Sequence, residues 1–148
     1  MMEKEFIKRE QIIEVVNKLF VYTDDRRWQE LLDEVFTELV LFDMASLGAG
    51  EPATLPAKQI CENWRNGFEG IDAIHHQAGT YLVTLTGDAA MVRAYAIASH
   101  YKKSATHGNT REFVGSYDLG LSFLREKGWR VNAFHYYLKY SGGNLDFR

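Results

Sequence analysis

The stretch Gly87-Asp88-Ala89-Ala90-Met91-Val92-Arg93-Ala94-Tyr95-Ala96-Ile97-Ala98-Ser99-His100 reads as a tight turn feeding one long strand with two unlike faces. Successive side chains of a strand point to opposite sides of its sheet. Ala90, Val92, Ala94, Ala96, Ala98 and His100 therefore share one face, while Arg93, Tyr95 and Ser99 share the other. The alanines leave space above their face that a helix or a ligand must fill. That face is the expected interior, and His100, at the end of the row, looks into the same space. The competing reading is a core histidine satisfied by a backbone carbonyl.

Working outward, extended stretches are expected over 73–86, 89–103, 111–125 and 129–140, joined by tight turns at Gly87-Asp88 and Lys127-Gly128 and a looser one over 104–110. Hairpin-joined neighbours make an antiparallel meander. The short apolar run Leu39-Val40-Leu41-Phe42-Asp43-Met44 reads as a further buried strand. Upstream, Ile12, Val15, Val16, Leu19 and Phe20 recur at helical spacing. A second, short helix follows with Trp28, Leu31, Leu32 and Val35 on its buried side, and with Asp24 or Asp25 as its N-cap. Residues 45–55, with Gly48, Gly50 and Pro52, read as a loop able to cover a cavity mouth. Pro56 suits the first position of a third helix, striped by Ala57, Ile60, Cys61, Trp64 and Phe68 and ended by Gly67 and Gly70. Helices segregated from such a sheet define the α+β class. No repeat or linker interrupts the chain, so residues 1–148 are read as a single domain.

Composition narrows the function. A chain of 148 residues with 46% hydrophobic and 25% charged residues is an ordinary globular domain. Its 20 aromatics suit a pocket walled by large, flat side chains. The net charge of −3 is spread without a basic stripe, so nucleic-acid binding has little electrostatic support. Cys61 is the only cysteine, which excludes an internal disulfide and fits a reducing compartment. Met1-Met2-Glu3-Lys4-Glu5 lacks the apolar core of a signal peptide, and no apolar run reaches membrane-spanning length. A cytoplasmic protein without membrane contact is the expectation.

Stepping by four along Ile12, Val16 and Phe20 leads to Asp24, a carboxylate at the end of a stripe that otherwise faces the core. Asp24 is therefore either a pocket residue or a helix cap. His75 and His76 must face opposite sides of their strand, and alternation alone does not choose between them. Tyr22, Asp43, Tyr117, Asp118 and His135 are further candidate lining residues, and Trp64 joins them from the third helix. No Walker motif, Ser-centred elbow, HExxH or CxxC is present. The spacing of Asp24 and the histidines does not support a metal site, and no cofactor is expected.

Several segments together carry a family resemblance. They are Leu19-Phe20-Val21-Tyr22-Thr23-Asp24-Asp25-Arg26-Arg27-Trp28, Ile74-His75-His76-Gln77-Ala78-Gly79-Thr80-Tyr81-Leu82-Val83, Gly87 through Tyr95, and Gly128-Trp129-Arg130-Val131. In order and spacing the chain resembles the SnoaL-like branch of the nuclear-transport-factor-2-like superfamily. The resemblance implies a cone-shaped α+β barrel, a curved antiparallel mixed sheet wrapped around N-terminal helices. Within that branch the chain is similar to scytalone dehydratases, which use an aspartate and two histidines. The aspartate falls on Asp24, four residues before Trp28; one histidine falls on His76, opening His76-Gln77-Ala78-Gly79; the other falls on His100. The chain departs from that pattern where Thr23 replaces a tyrosine, where Asp43 stands near another tyrosine's place, and around Tyr117 to Gly120, where a serine and an asparagine have no counterpart.

The resulting expectation is a cofactor-free lyase or isomerase acting on a small cyclic or carbonyl-containing ligand in an apolar pocket, with Asp24, His76 and His100 as acid/base residues and Tyr22, Asp43, Trp64 and Tyr117 around the substrate. The alternative is a non-catalytic domain that binds a small molecule or a partner such as an oxygenase large subunit. Tyr95, Ile97 and Tyr101, opposite the alanines, predict a homodimer through the outer sheet face.

Overall fold

In a computed structural model, which describes residues 2–148, the chain opens with helix α1 (Met2–Asp24). Its buried residues, Ile12, Val15, Val16, Leu19, Phe20, Tyr22 and Thr23, follow the apolar periodicity. Arg26 ends it in the left-handed region at φ +57°. Arg27 N–H then bonds the carbonyl of Tyr22 at 2.8 Å and Arg26 N–H bonds that of Thr23 at 3.1 Å, the paired closure of a Schellman motif. The Arg26 guanidinium donates to the carbonyls of Phe68 and Ile71, which ties this strained turn to the far end of α3.

That turn settles the role of Asp24. It is the last residue of α1, on the row of Ile12, Val16 and Phe20, and caps nothing. The second helix, α2 (Trp28–Glu30), continues as a π-type segment Leu31–Val35 and has Arg27 at its N-cap without a side-chain bond. Neither Asp24 nor Asp25 serves as the expected cap.

The strands are β1 (Phe36–Asp43), β2 (Ala53–Pro56), β3 (Ala73–Thr86), β4 (Ala89–Tyr101), β5 (Thr110–Leu124) and β6 (Gly128–Gly143), with α3 (Ala57–Gly67) between β2 and β3. They form one sheet in the order β2-β1-β6-β5-β4-β3. β3 to β6 make the expected meander, while β1 lies parallel to β6, pairing Phe42 with Phe134 and Asp43 with His135. One expectation needs correcting. Part of the segment read as a loop is β2, antiparallel to β1 from Ala53 to Pro56. Pro56 closes this edge strand, where a missing N–H costs no ladder bond, and α3 begins one residue later.

β3 carries a bulge that alternation could not anticipate. Its register with β4 shifts between Gly79 and Leu82, and Thr80 sits at φ +59°. Ile74, His76 and Ala78 face inward before the bulge; Tyr81, Val83 and Leu85 do so after it. The inserted residue turns the second half of the strand over, so both sets of positions meet the core.

The core lies between α1, α3 and the concave face of the sheet, with Leu119, Leu121, Val131, Val92 and Val40 fully or almost fully buried. Among the described residues, no helix is long and apolar enough to cross a membrane.

Candidate active site

The concave face does not close completely on the helices. It leaves a cavity of about 450 Å³ walled by Phe20, Phe42, Trp64, Phe68, Phe113, Tyr117, Phe134 and Tyr136, with Leu47, Ala49, Glu51 and Leu55 at the β1–α3 connection. Its size and aromatic walls suit a small, flat ligand. The small side chain of Ala98 is part of what keeps the space open.

His76 and His100 both line this cavity. In the β3–β4 register His76 pairs with Ala98 and Ile74 with His100, so the two histidines are diagonal neighbours on one face. Diagonal neighbours have Cα atoms about 7–8 Å apart, within reach of one small molecule.

Asp24 holds His76 by two bonds. The backbone N–H of His76 donates to Asp24 Oδ2 at 2.8 Å, and the ring Nδ1–H donates to Oδ1 at 2.5 Å. The side chains are only 11% and 14% exposed for His76 and Asp24. The carboxylate fixes the tautomer and leaves Nε2 as the nitrogen free to accept a proton. Phe20 packs on the His76 ring at 5.4 Å between centroids.

His100 is arranged in the opposite sense. Arg111 Nε–H donates to its Nδ1 at 3.0 Å, so the proton of the neutral ring sits on Nε2. Burial first, then the charge of Arg111 and the neighbouring His76, push its pKa down to about 4. At neutral pH it is an uncharged hydrogen-bond donor and a weak base. Phe68 and Phe113 flank the ring at 5.4 and 5.6 Å. Burial also holds the Tyr117 hydroxyl far above its usual pKa and raises that of Tyr136 to about 12, so both phenols stay protonated donors.

The fold thus brings Asp24, His76, His100, Trp64 and Tyr117 together, but not Tyr22 or Asp43. Tyr22 turns away from the cavity, donates to Glu34 Oε1 at 3.1 Å and carries the Arg27 guanidinium over its ring at 4.4 Å. It precedes Asp24 by two residues, about 200° around a helix, so the two cannot share a face. Asp43 alternates out of the cavity because its neighbour Phe42 faces in, and it pairs with His135 on the outer side.

Arg111 and Tyr136 line the cavity without having been anticipated. Arg111 did leave a signal, since it has the parity of Phe113, Tyr117 and Leu119 and is a cation on an otherwise apolar row. Tyr136 is admitted by Gly115 on the neighbouring strand, where a Cβ would collide with its hydroxyl. Among the described residues, no group of three or more His, Cys, Asp or Glu side chains is placed to hold a metal ion.

A family model for the SnoaL-like domain matches residues 4–135. The chain belongs to the SnoaL-like domain family. Its helices and curved six-stranded sheet share their fold with a nuclear transport factor 2-like superfamily protein from Salmonella enterica, at 15% identity and a TM-score of 0.74 over 97% of this chain and 98% of that one. Among solved structures, the chain is similar to the Kfla4162 protein from Kribbella flavida, at 25% identity and a TM-score of 0.88 over 93% of this chain and 95% of that one. A protein from Novosphingobium aromaticivorans named for scytalone dehydratase matches at 13% identity and a TM-score of 0.82, covering 96% and 91%. A hexachlorocyclohexane dehydrochlorinase, LinA-type3, from Novosphingobium barchaimii matches at 11% identity and a TM-score of 0.78, covering 99% and 96%. At identities this low the last two likenesses concern the fold. No curated protein sequence matches the chain.

Proposed function

We propose that this SnoaL-like protein is a lyase or isomerase that removes a proton from carbon beside a carbonyl in a small cyclic molecule. The carrying observation is the buried Asp24–His76 pair, joined at 2.5 Å and aimed into an aromatic cavity that His100 also lines.

His76 Nε2 takes the proton, and the Asp24 carboxylate stabilises the imidazolium that forms. The electron pair of the broken C–H bond moves toward the carbonyl, whose oxygen accepts a hydrogen bond from His100 Nε2–H. In an elimination the pair then forms a carbon–carbon double bond as the neighbouring C–O bond breaks, and the His76 imidazolium returns its proton to the departing oxygen as water. In an isomerisation the same proton returns to a different carbon. Every step uses side chains alone. Two neighbours in fold are named as a dehydratase and a dehydrochlorinase, names of elimination reactions, which supports an elimination here.

The test is hydrogen–deuterium exchange at the carbon beside the carbonyl, measured by NMR in D2O over a panel of cyclic ketones and β-hydroxyketones. Exchange with the native protein that disappears in His76→Gln is the expected result. Binding without any exchange across the panel would replace this reading with a non-catalytic binding domain. That second reading is favoured by Thr23, whose hydroxyl is spent on the Leu19 carbonyl at 2.6 Å rather than offered to a ligand.

We also propose a homodimer through the outer sheet face. Met91, Tyr95, Ile97, Tyr101 and Tyr137 stand exposed there, and an apolar sheet face of that kind calls for cover. Light scattering should return twice the chain mass; a monomer at micromolar concentration would refute it.

A further inference from the structure

The cavity holds a cation that the proposed chemistry does not use. Arg111 lines the wall, and its guanidinium lies over Phe147 at 4.6 Å and near Phe113 at 5.6 Å. Its Nε–H is committed to His100. Among the described residues nothing accepts a hydrogen bond from its two terminal nitrogens, and no carboxylate pairs with it. Glu51, the acidic side chain in the cavity wall, is exposed and forms no ion pair. A guanidinium half-buried among aromatic rings has surrendered part of its hydration, and an anion in the cavity would repay it.

Other donors that no protein group takes up lie on the same wall. The Tyr136 hydroxyl is buried and has no partner among the described residues, although it lines the cavity. His100 adds its Nε2–H. By contrast, the buried carboxylate is that of Asp24, held on His76, while the wall's other carboxylate, Glu51, stands exposed at the β1–α3 connection.

From this partition we infer that the ligand is a small cyclic organic acid, bound with its carboxylate on Arg111 and its ring between Phe20, Phe68 and Phe113. A planar guanidinium with two free terminal nitrogens matches a carboxylate in shape and charge. Asp24 keeps the anionic end away from His76, so the ring carbons rather than the carboxylate lie against Nε2. The inference rests on reading this cavity as the reaction site and adds the substrate's charge to it. Phe147, which lies outside the family match at 4–135, belongs to a tail that closes over Arg111: Lys102 Nζ donates to the Phe147 carbonyl at 2.8 Å and Asn144 N–H donates to the Thr110 carbonyl at 2.9 Å.

The test compares two probes of one shape, benzoate and benzamide, by calorimetry at pH 7 and low salt. Benzoate should bind the native protein about tenfold more tightly or better, since charge-assisted hydrogen bonds exceed neutral ones by that order. In Arg111→Gln the preference should vanish while benzamide binding holds. Arg111→Lys, which keeps the charge but loses the fork, should fall between. A readout without mutation guards against a misfolded variant. Benzoate beside Arg111 offsets its charge, so the titration of His100 should move upward from about 4 in the native protein. Equal affinity for the two probes, a preference that survives in Arg111→Gln, or a His100 titration indifferent to benzoate would each overturn the inference. His76→Gln separates it from the catalytic reading. A benzoate preference kept in that variant supports acid recognition whether or not exchange occurs. Exchange on neutral ketones with no benzoate preference sinks acid recognition and leaves the catalysis standing.

Discussion

Asp24 and His76 meet at 2.5 Å on the inner face of the sheet, and Asp43 and His135 meet at 3.5 Å on the outer face. The two pairs are chemically the same and are built differently. Asp24 receives both the ring and the backbone N–H of His76 and is clamped by two bonds. Asp43 divides its attention, accepting the Ala45 N–H at 3.0 Å in a turn of its own. His135 lies across from Asp118, which Arg93 holds through both carboxylate oxygens at 3.1 Å. The outer pair is thus one link in a solvated polar row running over β1, β6, β5 and β4. The inner pair stands alone against aromatic rings. Burial and a second bond fix the His76 ring as the proposed base requires, whereas the outer pair, with side chains 23% and 20% exposed, is open to more water.

Breaking each pair should expose that difference. Asp24→Asn or His76→Gln is expected to lower kcat/KM by about 10²–10⁴-fold, the range of general-base catalysis, while Asp43→Asn and His135→Gln stay within about twofold. Parallel exchange rates on one cyclic ketone measure all four. Equal losses from the two pairs would erase the distinction.

The next largest effect concerns pH. His100 has a folded pKa of about 4 against an ordinary value of 6.5. The unfolded chain therefore binds its proton first, and stability present above about pH 6.5 drains away as the pH falls toward 4, by on the order of 3 kcal/mol. Chemical unfolding at pH 7 and pH 4.5 should show the loss in the native protein and a smaller one in His100→Gln. The outer-face His135→Gln should leave the slope as it is.

A smaller effect tests the bulge that sets which residues see the inner face. Thr80 sits in a left-handed conformation that glycine adopts without strain, so Thr80→Gly should raise stability by about 1 kcal/mol. A loss instead would mean that the Thr80 side chain itself holds the bulge. Smallest of all is the outer pair's own contribution: Asp43→Asn should cost about 0–1 kcal/mol, since the 3.5 Å contact is long and partly open to water.

These outcomes bear on how far the site was legible in the chain. The alanine row ending at His100 needed only the period of a strand, because the register of β4 with β5 runs without a break. Asp24 was legible from the helical row, but its choice between pocket and cap was not, since a left-handed Arg26 decided where α1 stops. His75 and His76 stayed ambiguous for a reason of the same kind: one inserted residue at Thr80 cancels the alternation that would have ranked them. Tyr22, close to Asp24 in sequence, and Asp43, close to a tyrosine's place in the related pattern, lie on other faces by helical angle and strand parity. Arg111 was legible by parity and passed over as the start of a strand.

The amino-acid sequence by itself determined the α+β class, the meander, the inward row of β4 and the residue types available for acid/base chemistry. All of these follow from local periodicity and turn chemistry. The tertiary structure decided which histidine Asp24 grips, which nitrogen of each ring is free, and that an unpaired guanidinium shares their cavity. Those facts depend on contacts between residues far apart in the chain, and such contacts exist only once the sheet has curled around the helices.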